Sequence, residues 1–292
     1  MLFRSEDDKA NPCHPFRGGE YTFDQLVGMR RAEGLERHLT LEVMRERDKR
    51  NQRFVDLLGA KIREEKPDVL LIFGDDQGEV LLADNNPAFM LFTGAQVPFM
   101  PTTPERLARM TPAIRLADWA RTPREPMMLK GAPELGRHVA ASITREGFDV
   151  SVSEKIVPRP GGETGIGHAF GFIWHRMLDD LKSVPNMATL PIFINTFFPP
   201  NQPTAARVLE FGRAIGRAIR SWDKGQRVGI AASGGFSHFV IDEQLDQRLI
   251  SAISSRDAKA LTSEPESSYQ SGTSEIKNWI AAMGATEGTG LE

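Results

Sequence analysis

A chain of 292 residues with 40% hydrophobic content can bury a substantial core, as one large α/β domain or two small ones. A formal net charge of −3, with the cations scattered, gives no electrostatic reason to expect nucleic acid or an anionic membrane as partner. One cysteine, Cys13, excludes an internal disulfide framework, and neither a bilayer-length apolar run nor a signal-peptide core is visible, so a soluble cytoplasmic protein is expected.

The first twenty residues, with Asn11-Pro12-Cys13-His14-Pro15 and Gly18-Gly19, read as loop. Thr22-Phe23-Asp24-Gln25 has the pattern of a capping box and predicts a helix through Leu26, Val27 and Arg30, ending near Gly34. A second helix is expected after Thr40, with Met44, Phe54, Leu57, Leu58 and Ile62 on its apolar stripe, stopping before Pro67. Nothing before residue 67 reads as a strand, so residues 1–66 form a helical N-terminal segment in this reading.

Strand and helix alternate from there. Val69 to Phe73 is a continuous apolar run of the kind buried on both faces, and it ends in the polar cluster Gly74-Asp75-Asp76-Gln77-Gly78-Glu79. Ala88 to Phe92 is a second strand. Residues 95–135, rich in Pro, Met and Arg with little periodicity, suggest a long insertion serving as a lid, a partner surface or a disordered loop. A helix from Leu135 to Glu146, a strand from Phe148 to Ser153 and a loop at Pro158-Arg159-Pro160-Gly161-Gly162 follow. A helix through Phe172, Met177 and Leu181 comes next, then a strand at Leu190 to Thr196. Pro203 and Thr204 open an amphipathic helix, and Val228 to Ala232 is a strand broken by Gly234-Gly235 before Ser237-His238. A helix through Leu245, Leu249 and Ile253 precedes a last one starting at Ser271 or Thr273. The fold class expected is α/β, a central mostly parallel or mixed sheet flanked by helices. One domain spans residues 67–292, with 95–135 inserted.

Ligands in open α/β sheets sit beyond the carboxyl ends of strands, which places Asp75-Asp76-Gln77 and His238 where chemistry is done. On the motif alone, a Gly-Gly turn followed by a capping serine and an ordinary surface histidine is the better reading of His238. Gly165-x-Gly167-x-x-x-Gly171 has the wrong spacing for a dinucleotide fingerprint and no Walker lysine, so nucleotide binding is rejected. His168 within it could serve a cavity or simply a helix start. His175 reads as a satisfied histidine, and His38 and His138 as solvated. No Gly-x-Ser-x-Gly, His-Glu-x-x-His or Cys-x-x-Cys occurs. A metal site must therefore be assembled from distant residues, for which His168, His238, Asp75, Asp76, Glu79 and Glu275 have suitable side chains. Glu275, near a helix start, also suits a capping carboxylate.

Five motifs stand in a particular order. These are Asp75-Asp76-Gln77, Gly167-His168-Ala169-Phe170-Gly171, Ile192-Phe193-Ile194-Asn195-Thr196, Gly234-Gly235-Phe236-Ser237-His238, and Gly272-Thr273-Ser274-Glu275 with Trp279. Together, over roughly residues 66–283, they resemble the class III extradiol ring-cleavage dioxygenases of the protocatechuate 4,5-dioxygenase β-subunit type. The resemblance implies a non-haem Fe(II) held by two histidines and one carboxylate, with open positions for a small aromatic diol and O2. It implies Glu275 as the iron carboxylate, His238 as the acid–base histidine and His168 as a second active-site histidine. Gln77 stands where one iron histidine belongs, so the ligand there is its carbonyl oxygen or, two residues on, Glu79. The other iron histidine belongs to a His-x-Pro segment after a first strand that this chain lacks. The expectation is a chain whose start lies upstream, or a divergent relative that has discarded the metal site. The alternative to a ring-cleaving enzyme is a non-catalytic binding or partner subunit, in a homo- or hetero-oligomer, with residues 95–135 as its interaction surface.

Overall fold

The computed structural model describes residues 8–158 and 165–289. Its centre is a five-stranded sheet in the order β7-β4-β8-β3-β9, where β3 is Val69–Gly74, β4 Phe89–Phe92, β7 Ser151–Ser153, β8 Ala188–Ile194 and β9 Val228–Ala232. β8, β3 and β9 run parallel, with Leu71 opposite Leu190 on one side and Ile230 on the other. β4 is antiparallel to β8 and parallel to β7, which makes the sheet mixed. The expected α/β class, a mixed sheet flanked by helices, is what forms.

Alternate residues of β3 face opposite sides, as the two-residue period of a strand requires. Val69, Leu71 and Phe73 enter one core, and Leu70 and Ile72 the other. The first core is closed by helices α5 (Pro133–Arg145), α7 (Ala205–Arg220) and α10 (Ile276–Thr286). The second is closed by α6 (His168–Phe172), the π-helical turn Ile173–Met177 and the inserted segment. Burial on both faces explains why these strands read as unbroken apolar runs.

Three expectations need correction. Residues before 67 do contain strands: β1 (His14–Phe16) and β2 (Gly19–Tyr21) form a hairpin around Arg17 and Gly18, both at positive φ. It is pinned by Arg17 to Asp242 at 2.7 Å. The capping box of α1 (Phe23–Arg30) forms as the sequence predicts, and α2 (Leu41–Glu65) follows its Thr40 cap. Residues 95–135, secondly, are not a disordered loop, one of the three alternatives expected: β5 (Gln96–Phe99) pairs with β6 (Met127–Lys130), enclosing α3 (Pro104–Arg109) and α4 (Pro112–Ala117). Thirdly, His138 is not merely solvated, since its Nε2 lies 2.9 Å from the Ala218 carbonyl near the end of α7. The predicted loop at 158–162 lies mostly outside the described residues. Helices α8 (Glu243–Ser254) and α9 (Ala258–Ser263) complete the chain, and no described helix is long and apolar enough to cross a membrane.

Candidate active site

Beyond the carboxyl ends of β3 and β9 the chain turns sharply, and the two turns meet at Glu275. The first is organised by Asp76, whose buried carboxylate accepts backbone N–H bonds from Gly78, Glu79, Val80 and Leu81 at 2.9–3.1 Å. Those donors shape the loop that presents Asp75, Gln77 and Glu79. The second turn runs from Ser233, which donates to the Phe73 carbonyl at 2.8 Å, through Gly234 at φ 136. A Cβ at Gly234 would lie 2.8 Å from Glu275 Cβ, so the glycine lets the strand end touch the start of α10. Gly235 N–H then donates to Glu275 Oε2 at 2.8 Å.

Five side chains meet there. Gln77 Nε2 donates to Glu275 Oε1 at 2.9 Å and to Asp75 Oδ2 at 3.2 Å. His238 Nε2 lies 3.4 Å from Glu275 Oε1, while its Nδ1 faces the Phe236 carbonyl at 2.7 Å. A carbonyl only accepts, so Nδ1 carries the proton and Nε2 is the nitrogen turned toward the acid. Donor atoms of Asp75, His168 and Glu275 all lie within 4.8 Å of one another, a spacing that could hold a metal ion. Glu79 is placed differently. Its two oxygens receive Arg121 Nη1 at 2.6 Å, His168 N–H at 3.0 Å and His168 Nδ1 at 2.7 Å.

The site is rich in buried carboxylate. Burial, with the Glu275 charge adding, pushes Asp75 up to about 6. Burial also opposes the ionised forms of Glu79 and Glu275, but their partners prevail. His168 and Arg121 hold Glu79 down at about 2, and His238 with the Gly235 N–H holds Glu275 below the usual carboxylate range. Burial disfavours an imidazolium at His168, yet Glu79 above all, with Asp75 and Glu275, raises it to about 10. The pocket therefore demands positive charge.

Two site residues carried no sequence signal that singled them out. Asn278 is fully buried and donates to Asp75 Oδ1 at 3.3 Å and the Ser233 carbonyl at 2.8 Å, tying β3 to β9. Its spacing of three from Glu275 on a helix start was the available clue. Arg121 lies in a segment without periodicity and offered none. His14, left in a loop by the sequence, is buried in β1, and its Nε2 has no hydrogen-bond partner among the described residues.

The donor chemistry fits a divalent first-row cation: two carboxylates and one imidazole, richer in oxygen than two imidazoles and one carboxylate. Residues 40–292 match the family described as the catalytic LigB subunit of aromatic ring-opening dioxygenase. The chain is 30% identical over 129 residues to gallate dioxygenase of Pseudomonas putida, covering 44% of this chain and 35% of that one. It is 26% identical over 182 residues to 2,3-dihydroxyphenylpropionate/2,3-dihydroxicinnamic acid 1,2-dioxygenase of Photorhabdus laumondii, covering 62% and 46%. The matched region thus spans less than half of either curated relative. With most of its length matched and its polar turns gathered at one end of the sheet, the chain belongs to the family of the catalytic LigB subunit of aromatic ring-opening dioxygenases.

Proposed function

We propose that the chain is the site-bearing part of an extradiol-type dioxygenase that opens a catecholic ring with Fe(II) and O2. The observation that supports this best is the convergence of Asp75, Gln77, His168, His238 and Glu275 on one point, in a chain of this family. Asp75, Glu275 and His168 would hold the metal, and Gln77 would reach it by its carbonyl if its amide turned over; Glu79 would serve through His168. When bound, Fe(II) supplies open positions at which a diol and O2 are brought together.

The remaining work falls to the protein. His238 is suited to acid–base transfer, because its Nδ1–H is fixed on the Phe236 carbonyl and Nε2 is left to exchange a proton with a substrate hydroxyl. Glu275, beside it, favours the imidazolium that results. Buried carboxylates around an imidazole keep the empty site rich in negative charge, so a catecholate is drawn in only once a metal has neutralised them. Anaerobic loading with Fe(II) followed by oxygen-electrode assays on catechols tests the proposal. Oxygen uptake with ring-opened product is expected, and Glu275→Ala abolishes both. An active, iron-replete Glu275→Ala protein would remove the metal assignment.

One observation favours a second reading, a non-catalytic partner subunit. The Gln77 amide nitrogen bridges Glu275 and Asp75, satisfying both carboxylates from within the chain. Metal content after purification in reducing, anaerobic buffer separates the two, stoichiometric iron supporting the enzyme and none supporting the subunit.

A further inference from the structure

The glycines around His168 are not a nucleotide loop, and the structure shows what they accommodate. A Cβ at Gly167 would lie 2.2 Å from Glu79 Oε2, and one at Gly171 would lie 2.1 Å from the Arg121 carbonyl oxygen. Both contacts are closer than any side chain allows. The turn carrying His168 is therefore fitted to a carboxylate from the loop after β3 and to the backbone of the inserted segment. The insertion is docked by its core residues as well. Val97 and Phe99 are fully buried, Phe99 meets Trp174 edge-on at 5.5 Å, and Ile166 N–H donates to the Pro98 carbonyl at 2.9 Å.

From this docked segment Arg121 reaches inward. Its Nη1 lies 2.6 Å from Glu79 Oε1, and its Nε donates to Asp118 Oδ1 at 2.9 Å. Asp118 is itself held by the hydroxyls of Thr102 and Thr122 at 2.8 and 3.2 Å. The guanidinium is thus fixed at both ends, and Glu79 receives it on one oxygen while giving the other to His168 Nδ1. We propose that Arg121 is a positioning residue that acts through Glu79 to fix the ring of His168, making the insertion a built part of the active site. A carboxylate gripped on one oxygen only can swing with the imidazole. Gripped on both, it sets the ring plane and commits Nδ1, leaving Nε2 for the site. The orientation of His168 does not depend on the proposed reaction; its catalytic consequence rests on that reading.

The test uses the full chain, labelled with 15N-histidine and without added metal. The readout is the rate at which the His168 Nδ1–H exchanges with water, its resonance identified by loss in His168→Gln. Arg121→Met should speed exchange by about tenfold or more, the factor expected when a charge-assisted hydrogen-bond partner is released. Arg121→Lys, which keeps one cationic donor for Glu79, should restore most of the protection. In a Glu79→Gln background, Arg121→Met should add little, because the route through the carboxylate is already gone. Asp118→Asn, which frees the far side of the guanidinium but keeps its charge, should shift the rate the same way by a smaller factor. It is the deciding variant should Arg121→Met not fold. Unchanged exchange in folded Arg121→Met, or an additive effect in the Glu79→Gln background, overturns the proposal. The expected exchange pattern with no oxygen uptake by any variant would uphold the positioning role and count against the ring-cleaving reading.

Discussion

Gln77 is the residue that bridges two of the site's carboxylates, and its neighbours say what replacing it should do. Its amide nitrogen lies 2.9 Å from Glu275 and 3.2 Å from Asp75, within reach of the same carboxylates that a cation would use. Gln77→His supplies a second imidazole, and divalent-metal affinity should rise by about tenfold or more, comparable to the effect of altering a supporting shell. Competition titration against a chelator checks this, and unchanged affinity would place residue 77 outside the metal's reach. His168 gives a pH prediction. Its folded value of about 10 lies above its ordinary 6.5, so its pairing with Glu79 stabilises the fold fully below about pH 6.5. That contribution is lost as pH rises through about 10. Thermal melts should accordingly show the destabilisation by His168→Gln largest at low pH and fading towards the alkaline end.

At the scale of elements, the tightest joint is between α7 and α10. A Cβ at Gly212 would lie 2.1 Å from the Ala281 carbonyl oxygen, so the two helices touch backbone to backbone. Gly212→Ala should therefore cost about 1–3 kcal/mol, the usual penalty for overpacking, measured by urea unfolding. Gly28 in α1 has nothing within 4 Å of its added Cβ, and Gly28→Ala should instead gain up to about 1 kcal/mol. The same contrast explains what could be read from sequence. β3 and β8 were legible because burial on both faces writes a continuous apolar run, and α7 because one buried face writes a helical period. The β1–β2 hairpin was not, since two three-residue strands about a Gly-Gly pair carry no periodicity. His168, His238 and Glu275 were visible through their glycine and hydroxyl neighbours. Arg121 acts through folded contacts alone, which no local pattern records, and Asn278 had only its spacing from Glu275 to mark it.

Across the whole molecule, stability should be uneven. In α2 only Gly59 is buried, and Phe54, Leu57 and Leu58 are more than half exposed, whereas every residue of β3 and β8 is buried. Hydrogen exchange should therefore run orders of magnitude faster in the first turns of α2 than in the central strands, because local opening there exposes little apolar surface. Equal protection in the two regions would mean that α2 is covered in solution. The docking of the insertion on the His168 turn also bears on how relatives diverge. Gly171 has no side chain because the Arg121 backbone fills its place, and Gly167 because Glu79 does. Loop length and glycine identity are then one inherited constraint. A lineage that shortens residues 95–135 is released from glycine at 171 and loses its reason to keep arginine at 121, so these features should be gained and lost together.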